Sequence, residues 1–131
     1  MLTTYKKLVD TEARRQALVG LTVAYSLVQV ASFPVALVLP TIANDFLIDV
    51  ETASWIMIAE LLVLGSTVFL AAKLGDRHGH NRVFFAGIVI STLGALFAAL
   101  SQDFTQLVLF RGVQGLGAAL IMGTANAILA N

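Results

Sequence analysis

Residues 104–130 read FTQLVLFRGVQGLGAALIMGTANAILA and carry a single charge, Arg111. About 20 apolar residues, each rising about 1.5 Å, are enough to cross the hydrocarbon core of a bilayer. A run of this length predicts a transmembrane helix, because backbone amides inside lipid must find their partners within the same segment. A strand of a closed barrel would need only about 10 residues and would alternate in polarity. This run is too long and too uniform for that.

Working outward from it, three more spans emerge. Residues 17–39 have no charge, residues 54–72 have only Glu60, and residues 83–100 have none. The expected fold is therefore an all-α membrane protein. Its four transmembrane helices cover about 17–39, 54–72, 83–100 and 104–130, and a tail of residues 1–16 precedes a membrane segment of residues 17–131. Composition agrees. Hydrophobic residues make up 58% and charged ones 12%, the latter about half the share usual in soluble domains. Mean hydropathy is +0.87. A soluble enzyme, a disordered tail and a nucleic-acid binder are all excluded. No cysteine is present, which excludes disulfides and thiolate chemistry. No nucleophile, metal or nucleotide motif is found, so no catalytic residue, metal or cofactor is expected. The first span is too long for the apolar core of a cleavable leader and lacks a small-x-small exit site.

Net charge is zero, yet the charges are sorted. Lys6, Lys7, Arg14 and Arg15 precede the first span, and Lys73, Arg77 and Arg82 lie between the second and third. The other two connections carry Asp45, Asp49, Glu51 and Asp103 and no base. Basic residues favour the cytoplasmic side. The N-terminus, the 73–82 connection and the C-terminus are thus expected in the cytoplasm of a multi-pass cell-membrane protein.

Two charges fall inside the membrane. Arg111 lies about seven residues below the outer end of its span, roughly 10 Å deep. A guanidinium there must face protein or water, or else snorkel to the headgroups. Glu60 lies about six residues below the outer end of the second span, which runs in the same direction. Opposite charges at one depth should pair or share a wet cavity. Such a site is either a structural ion pair or a proton or cation site. Around Arg111, Gly115, Ala118 and Met122 share one face with Gln114 beside it. Gly112, Gly115, Ala119 and Gly123 recur at a spacing that suits close helix packing. In the first span Thr22, Tyr25, Ser26 and Gln29 form a polar stripe, with Ser32 a little off it. Such a stripe should line a cavity or bond to neighbouring helices, and Tyr25 and Gln29 are the candidates to touch a substrate. Pro34 removes a backbone bond near the end of that helix. In the 73–82 connection Gly75 and Gly79 suit a tight turn. His78 and His80 lack metal-ligand spacing and fit a solvated turn.

Two of these segments together resemble the major facilitator superfamily. The pattern Leu107-x-x-x-Arg111-x-x-Gln114-Gly115-x-Gly117-Ala118-Ala119 is similar to the fourth-helix motif of its antiporters at every specified position. Leu74-x-Asp76-Arg77-x-Gly79 resembles the loop motif between its second and third helices. Ala72 stands where that motif usually has glycine, and His80 and Asn81 where it has basic residues. Leu39-Pro40-Thr41-Ile42-Ala43 and Trp55 look like the drug/proton antiporter branches. Those branches often carry an aspartate where this chain has Ala31, and a tyrosine where it has Glu60.

The resemblance implies the first part of an N-terminal six-helix half, and so an incomplete domain that needs further transmembrane helices. It implies proton-coupled efflux of small organic molecules. In that reading Tyr25 and Gln29 line the substrate cavity, and Glu60 and Arg111 serve coupling or a buried ion pair. Asp76, Arg77 and Gly79 form a cytoplasmic gate, and Gln114, Gly115 and Gly117 complete the fourth-helix motif. Lipid, a small-molecule substrate and protons are the implied partners, with no nucleic acid. The alternative is a non-transporting remnant or a helix-packing assembly subunit. A small four-helix multidrug exporter fits less well. Its glutamate sits in helix one, and its charge bias is weak.

Overall fold

The computed structural model describes residues 2–130, with side chains for 11–30, 33–125, 127 and 128. Lys6, Lys7, Ala31 and Ser32, which entered the readings above, lie outside the described side chains. The elements are α1 (Leu2–Asp45), the single turn α2 (Val50–Ala53), α3 (Trp55–His78), α4 (His80–Ala99) and α5 (Phe104–Ala130). Four stretches, Thr11–Asp45, Val50–His78, His80–Ala99 and Phe104–Ala125, are long and apolar enough to cross a membrane. Among the described residues the chain is all-α, a membrane protein with four spans.

The helices outrun the apolar spans. α1 continues through Pro34 and Pro40 to Asp45. α3 continues to His78, and α4 begins at His80. The ten-residue connection expected at 73–82 shrinks to Gly79, whose φ of 94° only glycine adopts freely. Apolar residues mark where lipid is, whereas helical hydrogen bonds continue into the interface for as long as no residue breaks them.

The end of α1 is held by its own backbone. The Ile48 amide donates to the Ala43 carbonyl at 2.9 Å and the Leu47 amide to that of Asn44 at 3.2 Å. This is the helix stop that usually carries glycine at its left-handed position. Here Leu47 holds φ 54° and is 90% exposed. Asp49 then caps α2, accepting from the Thr52 amide at 3.1 Å and its hydroxyl at 2.7 Å. Those two bonds hold the Asp49 carboxyl below the usual aspartate range. Phe46 meets Phe104 edge-on, tying the end of α1 to the start of α5.

α5 is the central element, packed along α3 on one side and α4 on the other. Its small residues make this possible. A methyl group at Gly115 would strike the Glu60 carbonyl of α3, and one at Gly123 would come within 2.6 Å of the Val68 carbonyl. On the other side Gly117 abuts the backbone of Gly87 and Ser91 in α4. Lipid tails are as apolar as leucine, so association here relies on backbone-close packing instead of expulsion of water. Two apolar clusters close the ends. Val35, Ile56, Ala98 and Leu107 form the one near the start of α5, and Ala71, Val83 and Leu120 the one toward the Gly79 turn. α1 joins through Val35, Ile42 and Phe46 and leans on the rest more lightly.

Two expectations follow. Gly115→Ala and Gly117→Ala should each destabilise the protein by about 1–3 kcal/mol through overpacking. Gly65→Ala, with nothing within 4 Å of the added carbon, should be neutral or gain up to about 1 kcal/mol of helix propensity. Thermal unfolding in detergent, followed by circular dichroism, separates the cases. Identical melting of all three variants would contradict the close contact. In the same assay Leu47→Gly should raise the midpoint, since relief of a left-handed leucine gains about 1 kcal/mol. A lowered midpoint would show that the leucine side chain matters more than its backbone strain.

Candidate functional site

The intramembrane charges meet between α3 and α5. Arg111 Nη1 lies 3.5 Å from Glu60 Oε2 and 3.0 Å from Gln114 Oε1. The side chains of Arg111 and Glu60 are only 13% and 8% exposed. The shorter contact goes to Gln114, one turn along α5. The glutamate contact is at the long edge of hydrogen bonding and is mainly electrostatic. Arg111 Nε is buried without a partner among the described residues. The guanidinium is therefore shared between a charge on one helix and an amide on its own.

The local reason is the glycine that follows. Gly115 lies on the Glu60 backbone, so α3 and α5 touch at the level of the carboxylate. A residue with a side chain there would push the helices apart and lengthen the ion pair. Gln114 is 4% exposed and set against Gly94 of α4. It thus stands at the seam with the opposite neighbour. Gly117, the last of the three helix-four motif residues, makes the α4 contact.

Tyr25 and Gln29 are not covered by the other helices among the described residues. Both are exposed, Tyr25 at 47%. Thr22 donates to its own Leu18 carbonyl. The face that α1 turns inward carries Leu21 and Val35, both buried, and half-buried Val28. These three are seven residues apart and so share a stripe. Gln29 follows inward Val28 by one position and Tyr25 follows half-buried Ala24 by one, each about 100° round the helix. Close packing selected the aliphatic stripe, and the polar one was left outside.

At the other membrane face Asp76 and Arg77 are exposed in the last turn of α3, and Gly79 makes the turn itself. His78 is exposed as a turn residue should be. His80 is not. Its Nε2 lies 3.3 Å from Asp76 Oδ1, and its side chain is 20% exposed. The ring rests over Gly75 and beside the Thr124 methyl of α5. Only a glycine at 75 leaves room for it. The pairing of Gly75, His80 and Thr124 joins three helices, so no local pattern announces it.

The sequence profile of the Major Facilitator Superfamily matches residues 21–131 of this chain. The riboflavin transporter RibZ of Clostridioides difficile is 36% identical over 92 residues, covering 70% of this chain and 20% of that protein. The tetracenomycin C resistance and export protein of Streptomyces glaucescens is 32% identical over 112 residues, covering 86% of this chain and 21% of that protein. The uncharacterized transporter YvkA of Bacillus subtilis is 29% identical over 112 residues, covering 86% of this chain and 25% of that protein. The chain thus spans about a fifth to a quarter of the length of these curated relatives.

The geometry predicts strong coupling at the buried pair. Glu60→Gln or Arg111→Gln alone should cost about 3 kcal/mol, because each leaves an uncompensated buried charge. The double variant should lose less than the sum, with a coupling energy of about 0.5–3 kcal/mol. Unfolding midpoints of the four proteins complete the cycle. Strictly additive losses would mean that the two groups do not interact.

Proposed function

The chain belongs to the Major Facilitator Superfamily, and on that premise we propose that it serves proton-coupled efflux of small organic molecules across the cell membrane, together with further transmembrane helices. The observation that carries this reading is the buried Glu60–Arg111–Gln114 cluster. An intramembrane carboxylate facing an arginine can exist in two states. Ionised, it holds the guanidinium across the α3–α5 contact. Protonated, it releases the guanidinium to Gln114 alone. A proton taken up on one side and given up on the other then alternates two arrangements of the same helices.

The polar stripe supports a substrate path. Tyr25 and Gln29 project from a membrane-spanning helix into the surroundings of the four-helix unit, where lipid offers no hydrogen bonds. In this reading they face the substrate and the remaining helices. Asp76, Arg77 and Gly79 act at the cytoplasmic end as a gate. The Asp76–His80 contact steadies the turn on which that gate is built. The N-terminus and the α3–α4 turn face the cytoplasm, as the basic residues on that side favour. The export named for the tetracenomycin relative accords with efflux.

Everted membrane vesicles carrying the protein test the coupling. After a proton gradient is set, ethidium should release protons from the vesicle lumen, read as recovery of quenched acridine fluorescence. Glu60→Gln should abolish that release, whereas Glu51→Gln, outside the membrane, should not. Equal recovery in wild type and Glu60→Gln would sink the proposal. Orientation has its own measurement. Cysteines at the exposed positions Glu51 and Arg77 should react with an impermeant maleimide from opposite sides of the membrane. Reaction of both from one side would overturn the topology.

A further inference from the structure

Among the described residues, the buried side-chain nitrogens without a hydrogen-bond partner are Arg111 Nε and His80 Nδ1. The first belongs to the ion pair. The second lies level with Thr124, roughly 20 Å further along α5. We propose that His80 is a proton-operated latch. With its ring neutral it locks α3, α4 and α5 together, and on protonation the ring leaves its seat and the joint loosens.

The seat is made for an uncharged group. His80 opens α4, yet its ring lies over Gly75 of α3, where a methyl group would meet Nδ1 first and the Thr124 methyl next. Gly75 is buried and Thr124 is fully buried. The Thr124 hydroxyl is committed to its own helix, donating to the Leu120 carbonyl at 2.7 Å. Nδ1 is therefore seated against carbon. Nε2 lies 3.3 Å from Asp76 Oδ1. A carboxylate on that side favours the tautomer with its hydrogen on Nε2 and a bare lone pair on Nδ1. The neutral ring thus buries one unmet acceptor and no charge.

Histidine is the side chain that changes charge between about pH 5 and pH 8. The second proton goes on Nδ1, where it becomes a buried ionised donor with no acceptor. That is far costlier than an unmet lone pair. The attraction of Asp76 returns little, because the Asp76 side chain is 72% exposed. The other titratable groups at these helix ends are Lys73, Arg77 and His78 on α3 and Arg82 on α4, all basic. α5 carries no titratable side chain beyond Arg111. The proton therefore binds the released ring more tightly than the seated one, and acid drives release. A polar hollow of about 560 Å³ beside the ring, bordered by His78, Asn81, Arg82 and Ile128, has room to take it. Once the ring is out, the three helices keep the cluster of Ala71, Val83 and Leu120 but lose the joint beyond it. The latch follows from packing and does not depend on the transport reading.

Hydrogen–deuterium exchange of the full chain in lipid nanodiscs, corrected for the intrinsic pH dependence of exchange, reads the joint. The Gly79 amide on the Gly75 carbonyl and the Val83 amide on the Gly79 carbonyl are the backbone bonds beside the ring. One proton exchanged over two pH units shifts an equilibrium by about 100-fold at most, so protection of residues 76–86 and 120–128 should fall by about tenfold from about pH 7.5 to about pH 5.5. Residues 46–54, which contain no histidine, should keep their protection. His80→Phe retains a ring without nitrogens and should stay protected at both pH values. Gly75→Ala, whose methyl takes the ring's place, should be unprotected at both. His78→Asn should respond as the native chain does. Protection in the native chain that ignores pH would overturn the latch. So would a fall that persists in His80→Phe, or one that disappears in His78→Asn, which would assign the titration to the neighbouring histidine. Should His80→Phe fail to fold, the native chain and His78→Asn still decide.

Discussion

The distance between α3 and α5 governs the rest of the structure, and Gly115 sets that distance. With no side chain at this position, the α5 backbone rests on the Glu60 carbonyl. In water, apolar area would drive two helices together. In lipid the gain is dispersion between closely fitted backbones, which falls away within fractions of an ångström. Contact at Gly115 therefore both joins the helices and places the Glu60 carboxylate within 3.5 Å of Arg111. The charge pair depends on the glycine, because a side chain at 115 would strike the Glu60 carbonyl and push the two helices apart.

This arrangement gives the unit a layered cross-section. Along α5, an apolar cluster around Ile56 and Leu107 is followed by the polar layer of Glu60, Arg111 and Gln114. Beyond it along α5 come the Gly117 contact with Ser91 and then the apolar cluster around Ala71 and Leu120, at whose level Gly123 rests on Val68 and Ala71. The charged layer thus lies between two apolar clusters. The two seams of α5 also differ in character. The α3 seam carries charge, and the α4 seam carries only neutral polar groups. Gln114 belongs to both, which makes it the natural point of communication between them.

Much of this was legible in the sequence because membrane physics leaves few choices. Uninterrupted apolar runs can only be helices, and residue counting alone puts Glu60 and Arg111 at one depth. The motif around Arg111 carried the family resemblance. What escaped the sequence depends on rotation and on third partners. The polar stripe of α1 was visible, but its direction is set by which face packs, and Leu21, Val28 and Val35 packed. Helix ends were misplaced because hydropathy reports lipid and not hydrogen bonding, so Lys73 to His78 stayed helical. His80 looked like a solvated turn residue, since neither Gly75 beneath it nor Thr124 beside it is a neighbour on one helix face.

The single-residue turn at Gly79 bears on how the protein is made. With no slack between them, α3 and α4 have to enter the bilayer as one hairpin. Arg111 lies 51 residues after Glu60, and at roughly 5–20 residues per second its synthesis lags by about 3–10 s. Throughout that interval the hairpin holds an intramembrane glutamate whose arginine has not yet been translated. Until α5 arrives the α3 carboxylate lacks this partner and carries the cost of its depth alone, so the order of synthesis as well as the final fold bears on that residue.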